Sequence, residues 1–171
     1  MSKLNIKKSI IVNTSALKTW DIIGPNFLNI SDWGPGLQKS WINDEAPKIF
    51  SDAPAGGRHC EATGFGIVDE RILHYDAEKY AITWSAKAEK IPSFVSGLQN
   101  AINVEIIDEN SCRASSNITA DLKGLLGLLM GPVMKMNFNK VLSRFLSDWQ
   151  VYAETGIVST EKQKELNNEA V

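Results

Sequence analysis

Residues 132–154 read PVMKMNFNKVLSRFLSDWQVYAE, and this stretch decides the fold. At the 3.6-residue period of an α-helix, its apolar side chains fall on one broad arc and its polar side chains on the opposite arc. The apolar arc, extended upstream to Met130, contains Met130, Met134, Phe138, Val141, Leu142, Phe145, Leu146, Trp149 and Tyr152. The stretch therefore predicts one long C-terminal helix whose apolar face must be covered by the rest of the chain.

A single antiparallel sheet wrapped around this helix is the predicted cover, because residues 57–121 read almost entirely as strands. Residues 80–88 alternate most regularly, with polar side chains at Thr83, Ser85 and Lys87 between apolar ones. The last strand, at about 112–121, turns small side chains toward the helix. Since the helix carries large aromatic groups, the gap is filled either by tight packing on those small residues or by a ligand.

The residues before this sheet predict one strand and two short helices. Residues 5–12 suit a first strand, and Asn13 or Thr14 is placed to cap the helix that follows. A second short helix is expected at about 26–32, before the glycine-proline loop at 34–36. From Leu37 the two-residue period of a strand takes over, with Leu37 and Trp41 on one face. The fold class is α+β, with one domain at 1–156 and a frayed polar tail at 157–171.

Composition narrows the function classes. The chain has 171 residues, is 43% hydrophobic and carries 18 basic against 20 acidic residues, which suits one domain large enough to enclose a cavity. No run of like charge longer than two or three residues occurs, so nucleic-acid binding is not expected. The N-terminus lacks the apolar core of a signal peptide, and no apolar run approaches the ~20 residues of a membrane span. We therefore expect a cytoplasmic protein with reduced cysteines and no integral membrane association.

Several short motifs occur in an order that resembles one superfamily. They are Ile10 or Ile11 followed by Trp20, Trp33 with Pro35, Gly57-Arg58, Gly66 followed by Glu70-Arg71-Ile72 and Asp76, and Tyr80-x-Ile82. Over residues 6–155 they resemble the polyketide cyclase/dehydrase branch of the START-related superfamily, also called SRPBCC. The resemblance implies the helix-grip fold, with a deep cavity between the curved sheet and the last helix that holds a hydrophobic or amphipathic small molecule. Fold analogy alone does not choose between binding and catalysis.

Two neighbouring residues are the catalytic candidates. In the aromatic polyketide cyclases an arginine on the corresponding strand faces the pocket, and Arg71 is similar to it; it either contacts a substrate oxygen and stabilises an enolate, or pairs with Asp69. Glu70, on the opposite face, either acts as an acid or base inside the cavity or faces solvent. Because both faces of this strand carry ionisable groups, alternation does not decide which one points inward.

The predicted ligand-binding residues are mostly aromatic side chains with a few polar groups: Trp33, Trp41, Phe65, Arg71, Trp84, Ser116, Asn137, Val141, Phe145 and Trp149. A metal site is not expected, since His59, Cys60 and Glu61 are adjacent on a strand and point to alternate faces. An organic cofactor is not expected either.

Three functions remain open from the sequence. The first is binding of a small hydrophobic or amphipathic ligand, the second an enzyme of the polyketide cyclase/dehydratase type, and the third an interaction module with a collapsed pocket and a contact loop at residues 91–95. The protein is expected to be a monomer or a homodimer. The sequence does not identify the ligand.

Overall fold

The computed structural model describes residues 2–169, so Met1 and residues 170–171 of the predicted domain and tail lie outside the described residues. Within these residues, seven strands, three α-helices and one short 3-10 helix follow one another. In order they are β1 (Ser2–Val12), α1 (Ala16–Ile23), the 3-10 helix (Phe27–Asp32), β2 (Leu37–Ile42), β3 (Gly57–Ala62), β4 (Gly66–Asp76), β5 (Ala81–Ala88), β6 (Val95–Asp108), β7 (Ser111–Leu122), α2 (Gly124–Thr155) and α3 (Thr160–Glu169).

The strands form one curved antiparallel sheet in the order β1-β7-β6-β5-β4-β3-β2, and α2 lies across its concave face. Trp149, Leu142 and Leu146 on α2 are buried, and the helix packs most closely on β1 and β7. The predicted helix-grip architecture, with two short helices after the first strand, is confirmed.

Small side chains on β7 let α2 approach the sheet. Cys112, Ala114, Ser116 and Ala120 all face inward and are buried, as the alternation of this strand predicts. At the start of α2 the approach is closer still. A Cβ atom on Gly127 would lie 2.9 Å from the backbone carbonyl carbon of Leu122, so this position requires glycine.

The first helix begins one or two residues later than a cap at Thr14 or Asn13 would place it. Ser15 caps α1, because its Oγ accepts a hydrogen bond from the backbone N–H of Lys18 at 3.3 Å. On the inner side of α1, Trp20 packs against Tyr75 with ring centroids 5.4 Å apart. The cap at Asn13 or Thr14 is therefore wrong, while the helix itself is confirmed.

Because β2 contains a bulge, Trp41 lies on the opposite face from Leu37, contrary to the prediction. The register shifts between Leu37 and Lys39, so one extra residue separates the two ends of the strand. Leu37 consequently points toward α2, whereas Trp41 lies opposite His59 and packs on its ring at 5.7 Å on the outer face. Leu37 and Trp41 do not share a face.

The long helix begins at Gly124, upstream of the predicted start at Pro132. Proline fits the first turn of a helix, which made Pro132 a plausible start, but here it lies inside the helix. The leucine-rich turns before it continue the same helix although most of their side chains are exposed.

Residues 160–169 form α3, so the frayed tail expected there is wrong. Contacts distant in sequence hold this polar helix in place. Lys162 is buried and its Nζ donates to the backbone carbonyl of Leu37 at 2.6 Å, while Glu165 accepts from the backbone N–H of Gly36 at 3.0 Å. Arg144 on α2 lies 2.6 Å from the other carboxylate oxygen of Glu165. Composition alone could not show these partners.

Replacing Lys162 should destabilise the protein. In Lys162→Ala the buried Leu37 carbonyl loses its charged donor, so we expect the free energy of unfolding to fall by about 1–3 kcal/mol in urea titrations. Lys164→Ala, on the exposed side of the same helix, is the control and should unfold like the wild type. Equal stability of the two variants would contradict the anchoring role of Lys162.

Candidate ligand cavity

A two-chambered cavity lies between the sheet and α2. The inner chamber has a volume of about 190 Å³ and the outer chamber about 450 Å³. Both are bounded by the same group of residues, Glu70, Ala86, Leu98, Phe138 and Val141. The chambers are therefore adjacent parts of one site, and α2 supplies one wall of each.

Most of the lining is apolar. The inner chamber is lined by Ile30, Trp84, Ile118, Leu142 and Phe145, among others, and the outer chamber by Phe65, Val68, Ile91, Pro92 and Met134. Ligand sites in proteins are typically apolar cavities of about 300–1,000 Å³ with a few well-placed polar groups. The outer chamber alone falls within that range.

The polar centre of the cavity is Glu70, which points inward from β4. Its Oε2 lies 2.5 Å from the Nε of Arg58, and its Oε1 accepts a hydrogen bond from the indole Nε1 of Trp84 at 2.9 Å. The side chains of Arg58 and Glu70 are only 2% and 12% exposed. Three neighbouring strands thus supply one buried ion pair and its hydrogen-bonding tryptophan.

Arg58 is held from the other side by the 3-10 helix. Its guanidinium donates to the backbone carbonyl of Phe27 and lies 3.8 Å from the centre of the Phe27 ring. The same group is 5.5 Å from the ring of Trp84. The buried guanidinium of Arg58 thus contacts a carboxylate, a carbonyl and two aromatic rings, and these partners fix its position.

Cys60 is beside this pair but is not suited to nucleophilic chemistry. Its Sγ lies 3.7 Å from the Oε2 of Glu70 and 3.7 Å from the Oγ of Ser40. Burial, followed by the negative charge of Glu70, raises the pKa of the Cys60 thiol to about 12. Because the thiolate is the reactive form, the thiol stays protonated and inert near neutral pH.

Three amides and one lysine supply the remaining polar groups of the cavity. Asn100 and Gln99 line the inner chamber, and the Oδ1 of Asn100 accepts from the Oγ of Ser116 at 2.6 Å. Asn137 from α2 and the exposed Lys90 line the outer chamber. Ser116 itself is fully buried behind Asn100 and lines neither chamber.

Arg71 does not face the cavity. Successive strand residues point to opposite faces, and the inward position of Glu70 places Arg71 on the outer face of the sheet. There its side chain is 43% exposed and its guanidinium is 3.1 Å from Asp69. Hydrogen bonding to Asp69 raises the pKa of Arg71. The prediction that Arg71 contacts a ligand in the cavity is therefore wrong.

The other predicted lining residues divide into two groups. Those that line a chamber are Phe65, Trp84, Asn137, Val141 and Phe145. Trp33 and Trp149 are core residues, each almost completely buried, with ring centroids 6.4 Å apart. Trp41 is on the outer face of β2. For the first group, direct contact with a ligand stays a prediction.

Arg58, Ala86, Leu98 and Phe138 are lining residues that the sequence did not single out as site residues. Arg58 and Cys60 are two residues apart on β3, so their side chains lie on the same face of the sheet. This two-residue period was the signal in the sequence for an inward-facing cation. Leu98 lies within a register shift of β6 between Ser96 and Gln99, and such an irregularity interrupts the alternation that would assign its face.

The described residues contain no group of three or more His, Cys, Asp or Glu side chains that could hold a metal ion. Glu70, the one carboxylate common to both chambers, is paired with a cation. A ligand would therefore meet hydrogen-bonding groups and apolar walls within this cavity.

No family model and no curated protein sequence matches this chain. Solved structures do, at low sequence identity. The START superfamily protein of Mycobacterium smegmatis has 12% identity and a TM-score of 0.70, over 90% of this chain and 99% of its own. XoxI of Bacillus cereus has 19% identity and a TM-score of 0.66, over 85% and 92% of the two chains. The ZhuI aromatase/cyclase of Streptomyces sp. R1128 has 12% identity and a TM-score of 0.63, over 92% and 100%.

These similarities define the class of fold. The chain has the helix-grip fold of the START-like, or SRPBCC, superfamily, as the sequence motifs predicted. At this level of identity the similarity concerns the fold and leaves the ligand and the chemistry to be argued from the cavity.

Removing Arg58 should be far more damaging than removing Arg71. Arg58→Ala leaves the carboxylate of Glu70 buried without its cation, which costs about 3–5 kcal/mol for a pair of this kind. Arg71→Ala breaks an exposed pair and should leave the free energy of unfolding nearly unchanged. Chemical denaturation of both variants measures the difference. Similar losses would show that the buried pair has no special role.

The two thiols should resist modification in the folded protein. Cys60 and Cys112 are buried, and burial raises the pKa of each. We expect a disulfide reagent at about pH 8 to react with neither until urea unfolds the chain. Ser51→Cys, at an exposed loop position, provides a reactive control. Rapid modification of Cys60 in the native protein would contradict its described environment.

Proposed function

We propose that this protein binds a small, neutral, hydroxyl-bearing apolar molecule in the two-chambered cavity. The observation that carries the proposal is a buried carboxylate, Glu70, at the junction of two apolar chambers. The Oε2 of Glu70 already accepts from Arg58 and from the Cys60 thiol, whereas among the described residues its Oε1 accepts from Trp84 alone and has a second lone pair available. A ligand hydroxyl can donate to Oε1.

The charge of the site favours a neutral ligand. Arg58 and Glu70 neutralise each other, so a charged group that reached the inner chamber would bring an unpaired charge into an apolar space. Lys90, the other ionisable group of the lining, belongs to the outer chamber and is exposed. A hydroxyl group avoids that cost and gains a hydrogen bond to a charged acceptor. The apolar body would occupy the outer chamber between Phe65, Met134 and Val141.

The fold supports this class of function without identifying the ligand. The predictions of a cytoplasmic protein, of lipid-like ligands and of activity without an organic cofactor are part of the proposal. The space between sheet and helix is not filled by side chains, and Ile91 and Pro92 of the 91–95 loop form part of its wall. This arrangement favours ligand binding over an interaction module with a collapsed pocket.

An enzyme of the cyclase type is the second candidate, because one structural neighbour is an aromatase/cyclase and Glu70 is an inward-facing carboxylate. The observed hydrogen bonds favour binding instead. Both oxygens of Glu70 accept from protein donors, which holds the carboxylate in place as a hydrogen-bond acceptor. Arg71, the other candidate, lies on the outer face.

Naphthol, naphthalene and naphthoate test the proposal as a matched set of probes. We expect naphthol to quench or shift tryptophan fluorescence through Trp84 and to bind about tenfold more tightly than naphthalene, which lacks the hydroxyl. Naphthoate should bind most weakly because of its charge. Preference for naphthoate, or no binding of any probe, would contradict a neutral hydroxyl ligand.

A blocking variant locates the binding site. Ala86 lines both chambers, so Ala86→Leu should reduce naphthol affinity by about tenfold or more by filling the junction between them. Ala101→Leu adds the same volume to the outer face of β6 and should bind like the wild type. Loss of a catalysed reaction in Glu70→Gln with binding intact would instead favour the enzyme.

A further inference from the structure

The upstream end of α2 exposes a contiguous apolar surface. Residues 124–136, called here the leucine end of α2, read GLLGLLMGPVMKM. Leu125, Leu128 and Leu129 are 73%, 61% and 66% exposed, and Leu126, Val133 and Met136 are also exposed. Single exposed leucines are common on proteins, but a contiguous group on one helix marks a surface that contacts something apolar.

The same part of the chain is cationic. Residues 122–147 contain no aspartate or glutamate, whereas Lys123, Lys135, Lys140 and Arg144 all lie within them. The chain as a whole has a formal net charge of −2. The leucine end therefore combines exposed apolar side chains with positive charge on a protein that is otherwise slightly acidic.

A groove beside the leucine end gathers three lysines, and we call it the lysine groove. It has a volume of about 960 Å³ and is lined by Lys8, Lys135 and Lys140, by Pro132 and Met136 of the leucine end, and by Asp148 and Glu161, both of which pair with Arg144. The Nζ of Lys8 is 2.5 Å from the Oγ of Ser143. Within residues 2–169 none of these three lysines forms an ion pair with a carboxylate. Their charges are available to an anion.

We propose that the leucine end and the lysine groove dock on the surface of a membrane containing anionic phospholipids. The leucine side chains would enter the boundary between headgroups and acyl chains, and the lysines would contact headgroup phosphates. None of the helices in the described part of the chain is long and apolar enough to cross a bilayer. A helix with this combination of exposed leucine and lysine lies on a membrane surface.

A second copy of the chain is a poorer occupant of this surface. In a two-fold symmetric dimer the same patch meets itself, so the lysines of the two copies would approach each other. The two carboxylates of the groove, Asp148 and Glu161, already pair with Arg144 and do not compensate these lysines. Anionic lipid supplies both the apolar environment and the negative charge.

Docking would also bring the mouth of the cavity to the lipid. Met134 belongs to the leucine end and lines the outer chamber, and Pro92 forms the wall opposite. The 91–95 loop is tied to the start of α2, because the backbone N–H of Lys123 donates to the carbonyl of Phe94 at 2.7 Å. Entry of a ligand from the bilayer rests on the proposed function; docking itself does not.

Vesicle flotation tests the docking. We expect the wild type to float with phosphatidylcholine vesicles that contain phosphatidylserine, and to bind pure phosphatidylcholine about tenfold more weakly. Leu125→Ser with Leu129→Ser should weaken binding about tenfold or more. Ile106→Ser with Ile107→Ser, which removes exposed apolar side chains from β6, is the matched control and should bind normally.

Charge is tested in the same assay. Lys135→Glu with Lys140→Glu should abolish the preference for phosphatidylserine, whereas Lys48→Glu with Lys87→Glu, at exposed positions elsewhere, should reduce binding much less. Added salt should weaken wild-type binding. The circular dichroism of every variant confirms that it is folded.

Three outcomes would overturn the proposal: no flotation with phosphatidylserine vesicles, equal binding of wild type and leucine variant, or a dimer in solution that the leucine variant dissociates without any vesicle binding. Ala86→Leu separates this proposal from the ligand cavity. If it loses naphthol binding but still floats, both proposals hold. Wild-type flotation without binding of any probe contradicts the cavity alone.

Discussion

The ion pair between Arg58 and Glu70 is the interaction around which the inner part of the molecule is arranged. It joins β3 to β4, receives Trp84 from β5, and reaches the 3-10 helix through the Phe27 carbonyl. Two charges removed from water are stable only when each has its partner and its remaining hydrogen bonds. The positions of Arg58, Glu70 and Trp84 in the wall of the inner chamber are therefore fixed by these polar contacts as well as by packing.

The large elements of the fold could be predicted because they depend on local periodicity. The apolar arc of α2 and the alternation of β5 and β7 follow directly from which side chains face inward. Elements that depend on distant contacts could not be predicted in the same way. The helix α3 is polar along its length and is held by Leu37, Gly36 and Arg144, none of which is near it in sequence.

The candidate site was only partly predictable for a related reason. Residue type and periodicity were enough to identify part of the lining, namely Phe65, Trp84, Asn137, Val141 and Phe145. The inward face of β4 depends on strand register, and both faces of that strand carry ionisable groups. The contacts of Glu70 with Arg58 and Trp84 on the neighbouring strands show that Glu70 faces inward. Contacts between strands cannot be predicted from the sequence of one strand alone.

Pro132 has a mechanical consequence for the cavity. It lacks a backbone N–H, so the carbonyl four residues earlier, on Leu128, has no donor at this rung of the helical ladder. Helices bend most readily at such interruptions. Downstream, Trp149 and Leu146 are buried, and the indole of Trp149 donates to the Thr19 carbonyl of α1. Upstream, the leucine side chains are mostly exposed and Gly127 approaches Leu122 closely. The missing hydrogen bond therefore lies two residues before Met134, which lines the outer chamber, at the boundary between the exposed and the buried parts of α2.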